Sequence, residues 1–212
     1  MKPLLLSILS VAFAIGVASA GDFRAGLTEI SLGLGATFPR EKDPLNVPGE
    51  LPMSNSLVLD FAARQYLGDM GAVGVRVFGT INKLSDYTVI PSGGGTPSSI
   101  EFNITTYTVA LEALVFLSQS NNITPYILAD VGFAGGLLTN KDMGSLPYRG
   151  FAAGGGAGIR FRLSERVALS FEGIGLVGSA KWKSPPFSNS SDDRYDPSTI
   201  ITLSSISFLI NK

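Results

Sequence analysis

Hydrophobic and polar residues alternate one for one along most of this chain. Between Gly158 and Gly173 the even positions include the ionised Arg160, Arg162 and Glu172, while Ile159, Phe161, Leu169 and Phe171 occupy odd positions. A period of two marks a β-strand with two unlike faces, and no helical or heptad period competes with it. The pattern predicts about eight strands, near residues 25–38, 55–66, 72–84, 101–117, 123–137, 150–163, 166–180 and 198–210. Most reach the ~9–11 residues that a tilted strand needs to cross a bilayer. Strands of soluble proteins average ~5–6.

The connections between these segments alternate in length. Those at Leu67–Gly71, Ser118–Asn122 and Ser164-Glu165 are tight and mostly polar. The others, PREKDPLNVPGELPMSN, SDYTVIPSGGGTPSSI, TNKDMGSLPYRG and KWKSPPFSNSSDDRYDPST, read as longer loops and hold most of the proline. Short turns on one rim and long loops on the other are expected of an outer-membrane barrel.

Sorting the strands by parity gives two faces. One collects Ile30, Leu32, Leu34, Leu57, Leu59, Phe61, Val73, Val75, Val77, Val109, Leu111, Val115, Ala129, Val131, Phe133, Ile159, Phe161, Leu169, Phe171, Ile206 and Phe208. The other collects the charges Glu29, Asp60, Arg64, Arg76, Glu112, Asp130, Arg160, Arg162 and Glu172, interleaved with Gly and Ser. Alternation alone leaves two readings: a soluble lipocalin-like barrel with an oily interior, or a membrane barrel with the faces inverted. The lysines decide between them. Every Lys lies in the N-terminal segment, a loop, a strand end or the C-terminus, whereas a water-facing sheet normally carries Lys. The polar face instead sets four Arg against five carboxylates among small residues, as suits a narrow lumen filled by side chains. The fold class read from this is all-β, an eight-stranded antiparallel up-and-down transmembrane β-barrel.

An unpaired buried charge costs several kcal/mol, so these nine residues should form one interior network. Counting back from the turns sets Asp60 beside Arg76, makes Arg160 and Glu172 diagonal neighbours, and brings Glu112 against Asp130. Arg76 and Arg160 are expected to flank that acidic pair. Phe38, Tyr66, Tyr107, Phe116, Tyr126 and Trp182, near strand ends, are expected in the aromatic girdles at the membrane surfaces.

The first residues, MKPLLLSILSVAFAIGVASA, pair Lys2 with an apolar run and an Ala18-Ser19-Ala20 cleavage site, so residues 1–20 read as a signal peptide and 21–212 as the barrel. Composition narrows the chemistry. The 212 residues contain no Cys and no His, with Lys+Arg 16 against Asp+Glu 17. That excludes disulfides, Ser–His nucleophile pairs and thiolate or imidazole metal sites, and gives no basic footprint for nucleic acid. Neither GGG run precedes Lys-Ser/Thr, so no phosphate loop is present. The acidic Asp192, Asp193 and Asp196 do not follow calcium-loop spacing. No catalytic residue, cofactor or metal is expected.

The segments ITPYILADVGFAGG (123–136) and FAAGGGAGIRFRLSERVALSFEG (151–173) resemble the OmpA-type outer-membrane β-barrel domain family. The likeness rests on Pro125-Tyr126 opening a glycine-alternating strand, the Gly154–Gly158 strand, the Leu163–Arg166 turn and Glu172. It implies an eight-stranded barrel with a plugged polar interior, acting in envelope integrity, adhesion or surface recognition. Two departures stand out. No peptidoglycan-binding domain, which some members carry after the barrel, is expected beyond Lys212, and Ile210 takes the place of a terminal aromatic. The expected partners are outer-membrane lipid and an extracellular ligand or surface partner at loops 39–54 and 183–197. A narrow pore gated by the Arg–carboxylate network is the alternative.

Overall fold

The alternating segments pair edge to edge until no edge is left. A computed structural model describes residues 27–39, 56–67, 71–83, 87–89, 98–100, 103–117, 123–140, 144–183, 194–195 and 197–210. The signal-peptide reading, the GGG run at 93–95, the acidic cluster and nearly all of the two named loops lie outside them.

The strands are β1 (Thr28–Pro39), β2 (Ser56–Tyr66), β3 (Gly71–Lys83), β4 (Tyr87–Val89), β5 (Ser98–Ile100), β6 (Asn103–Phe116), β7 (Ile123–Asn140), β8 (Gly144–Arg162), β9 (Val167–Trp182), β10 (Arg194–Tyr195) and β11 (Thr199–Ile210). The eight long ones close a ring in the order β1-β2-β3-β6-β7-β8-β9-β11, with β11 paired back to β1. Every pairing is antiparallel. β4 and β5 form a separate hairpin, and β10 extends the β9 edge. Closure pairs both edges of each of the eight long strands within the ring, so their backbone groups there need no water, as a hydrocarbon environment requires. The tight turns are clasped by backbone bonds, Leu67 N–H to Gly71 O at 2.9 Å and Leu163 N–H to Val167 O at 2.9 Å.

One expected loop is a strand. The β7–β8 connection is only residues 141–143, because β7 continues to Asn140 and β8 begins at Gly144. The Gly and Pro that suggest a loop are accommodated locally. Gly144 takes φ 81° at the turn, a conformation that costs glycine little. Pro147 pairs with Leu137 of β7, beyond the end of β9, where its missing N–H breaks no second ladder. Its carbonyl accepts from Lys183 N–H at 2.9 Å.

The large hydrophobes face outward. None of those assigned to the apolar face by parity is buried, and Leu34, Leu59, Leu111, Val131 and Phe133 are exposed. Glu29, Asp60, Arg64, Arg76, Glu112, Asp130, Arg160 and Glu172 are buried. The lipocalin-like alternative therefore fails, since its oily residues would enclose a cavity. The lumen is not uniformly polar, however. Val58, Phe78, Ile174, Leu176, Ile201 and Leu203 also point inward and pack into one cluster.

Candidate functional site

The lumen owes its chemistry to strand parity. Each buried charge occupies an inward position of its strand, and the barrel is narrow enough that side chains from opposite walls meet. Three guanidinium groups bridge four carboxylates. Arg160 reaches Glu29 at 2.7 Å, and Glu29 also receives Arg64 Nη1 at 2.7 Å, Tyr66 OH at 2.7 Å and Ser207 Oγ at 2.9 Å. Arg64 holds Glu112 with two nitrogens, Nε and Nη2. Arg76 Nη1 donates to the same Glu112 at 2.6 Å. Its Nε and Nη2 hold Asp60 at 2.9 and 3.1 Å, and Nη2 also pairs with Glu172. The forked geometry is what makes Arg rather than Lys the cation here.

Arg160 stands over three aromatic rings, with its guanidinium carbon 5.8 Å from the Tyr66 centroid, 5.5 Å from Phe116 and 5.8 Å from Tyr126. These three rings do not belong to the outer girdles. Their parity is that of Arg64, Glu112 and Asp130, so they point into the lumen. Trp182 is likewise inward, edge-on to Tyr148 at 5.1 Å. Of the six aromatics expected in girdles, Phe38 and Tyr107 face out.

Two further expectations need correction. Arg162 shares the parity of Arg160 but is exposed, because it ends β8 at the short-turn rim, where the lumen meets water. Arg160 does not flank the acidic pair either. It turns to Glu29, and Arg64 takes the place beside Glu112. The counted neighbours Glu112 and Asp130 are register partners. Asp130 differs from the other carboxylates: it is 4% exposed, and neither oxygen has a hydrogen-bond partner among the described residues. With Arg162 outside, three buried Arg face five buried carboxylates.

Sequence reading missed the tyrosine hydroxyls, although their parity marks them. Tyr126 and Gly158 are register partners, and so are Gly158 and Glu172. The Tyr126 ring lies across Gly158, and its hydroxyl donates to Glu172 at 2.6 Å. A Cβ on Gly158 would sit 2.5 Å from that ring. Gly158→Val should therefore push Tyr126 off Glu172 and lower the unfolding free energy by about 2–4 kcal/mol, combining overpacking with a lost charged hydrogen bond. Urea unfolding in lipid vesicles measures this, and Gly158→Val with unchanged stability would contradict the packing described.

Toward the long-loop end the lumen opens into a pocket. Its wall carries Thr37, Thr80, Asn82, Thr106, Thr108 and Ser198, and its apolar floor Phe78, Leu176 and Ile201. Phe78 also lies under Arg76, with the guanidinium carbon 4.8 Å from its centroid. The apolar floor thus joins the charge network directly. Among the described residues no three acidic side chains are grouped as a metal site would need.

The outer membrane protein OprG from Pseudomonas aeruginosa has a similar structure: TM-score 0.59 at 13% identity, covering 89% of this chain and 97% of that one. The chain has the fold of the small outer-membrane β-barrels. Ail from Yersinia pestis is similar at 12% identity and TM-score 0.49, over 87% of this chain and 99% of that one. The N-terminal β-barrel domain of Pseudomonas aeruginosa OprF is similar at 14% identity and TM-score 0.47, over 87% and 99%. No protein-family model and no curated protein matches the chain. At such identities the likeness concerns the fold alone.

Proposed function

We propose that this barrel is a non-enzymatic outer-membrane protein with a structural or surface-recognition role, exercised through long loops outside the cell after residues 1–20 are removed. One observation carries the reading. Arg64 and Arg76 reach across the lumen to Glu172 on β9, and Arg160 on β8 reaches Glu29 on β1, with Phe78, Leu176, Ile201 and Leu203 packed alongside. A lumen filled this way supports work at the loop end rather than inside. The hydroxyl-lined pocket opens there, between strands whose long connections are residues 40–55, 84–102 and 183–198. An extracellular ligand or surface partner would meet the protein at that end, while lipid surrounds the wall.

The narrow pore is the second reading, favoured among the described residues by the two buried carboxylates in excess of buried Arg and by Asp130, whose oxygens accept no hydrogen bond there. Planar-bilayer recording separates the two. The structural reading expects a silent bilayer after reconstitution of folded protein. Discrete conductance steps that change with Arg76→Ala or Arg160→Ala would overturn it in favour of the pore.

A further inference from the structure

Two threonines of the loop-end pocket have no partner in the barrel wall. Thr80 on β3 is 7% exposed and Thr108 on β6 is 4% exposed, and neither side chain hydrogen-bonds another described residue. Thr80 pairs in register with Thr106, and Phe78 with Thr108, so the two threonines are diagonal neighbours on the inner face. Both line the pocket. Other hydroxyls of the same wall are engaged within the chain. Thr37 donates to the Asn82 side-chain oxygen at 3.3 Å, Thr106 and the Tyr148 hydroxyl bond at 2.5 Å, and Ser198 accepts from Gly178 N–H at 3.1 Å. A buried hydroxyl that makes no hydrogen bond is costly, and valine would fill the same space without that cost. The two hydroxyls point to an occupant of the pocket.

The surroundings define its chemistry. No charged side chain lines the pocket. Arg76 lies beneath Phe78 and is committed to Asp60, Glu112 and Glu172. An ionised ligand would therefore lose its hydration here without gaining a counter-charge. Each threonine hydroxyl both donates and accepts, which matches an alcohol. Phe78, Leu176 and Ile201 supply apolar surface beside them. A neutral sugar ring combines these two demands, with hydroxyls along its edge and C–H groups on its faces. The enclosed volume is about 30 Å³, room for roughly two or three waters. It suits one edge of a ring, with the rest of the saccharide at the mouth.

We propose that Thr80 and Thr108 bind the hydroxyl-bearing edge of a neutral saccharide at the long-loop end of the lumen. This rests on the reading of that end as the recognition end, and it adds the class of the ligand.

Saturation-transfer NMR tests it. The full chain is folded into nanodiscs of deuterated lipid, with empty discs as the blank. The probes are the methyl glycosides of glucose, galactose, mannose and fucose, with glucuronate and glucosamine as charged controls. At least one neutral glycoside should receive saturation from wild type, and the charged sugars should neither receive it nor compete. Each of Thr80→Val and Thr108→Val should weaken that binding about fivefold, the worth of one ordinary hydrogen bond. Thr80→Ser and Thr108→Ser, which keep the hydroxyl, should retain most of it. Heat-modifiable migration checks that each variant is folded, and either single valine variant serves if the other does not fold. No transfer to any neutral glycoside, equal transfer in wild type and folded valine variants, or full competition by a charged sugar overturns the saccharide site. Conductance steps from wild type in a planar bilayer would instead count against the recognition reading itself. A silent bilayer with no glycoside signal would overturn the saccharide site alone.

Discussion

Arg76→Ala should lower the free energy of unfolding by about 3–5 kcal/mol, the cost of breaking a buried ion pair from one side. Arg76 holds both oxygens of Asp60, one of Glu112, and Glu172. Removing it strands the buried Asp60, which has no other ion pair among the described residues. Arg76→Lys should recover only part of the loss, because an ammonium cannot reproduce the fork. Asp130→Asn provides the contrast. Asp130 is buried opposite Glu112 with neither oxygen hydrogen-bonded among the described residues, so removing its charge should not lower stability. Urea unfolding of vesicle-folded protein, followed through the single, buried Trp182, measures all three variants. An Arg76→Ala barrel as stable as wild type would show that the network contributes nothing net.

A second large effect belongs to the outer wall. Val131 lies midway along β7, exposed and in register with exposed Leu111 on β6. Val131→Arg should destabilise the vesicle-folded barrel by about 2–4 kcal/mol, the depth-dependent penalty for a lipid-facing cation near the midplane. Ile123→Arg, at the short-turn end of the same strand, should cost about 0–1 kcal/mol. The gradient along one strand carries the information. Equal costs at both positions would mean that this wall does not face hydrocarbon.

Period-two alternation is a strong signal for which side of a strand a residue faces, and it made the inverted barrel legible. It says much less about depth. Arg160 and Arg162 share a face and differ by one pleat, yet one is buried over three rings and the other is in water at the rim. Partner choice across the lumen was also out of reach. Counting from turns gives neighbours within a hairpin, so Asp60 beside Arg76 and Glu112 against Asp130 could be placed. Arg160 meeting Glu29 depends on how far the ring staggers as it closes, which no local pattern encodes. Tyr66, Phe116 and Tyr126 illustrate a different failure. Their position near strand ends suggested girdles, but their parity with the charges pointed inward, and parity decides. The β7–β8 extension was hidden by Gly144 and Pro147, whose usual role as breakers does not hold at a turn and at a strand margin.

The most direct test of the orientation is a single-cysteine scan along β6, which the absence of native cysteine makes clean. Nitroxide labels at Thr108, Val109, Ala110, Leu111, Ala113, Leu114 and Val115 would be read for collision with oxygen, which concentrates in lipid, and with a water-soluble nickel chelate. High oxygen contact at Val109, Leu111, Ala113 and Val115, with neither reagent reaching Thr108, Ala110 or Leu114, is the predicted outcome. Nickel contact at the odd positions, or no alternation at all, would contradict it.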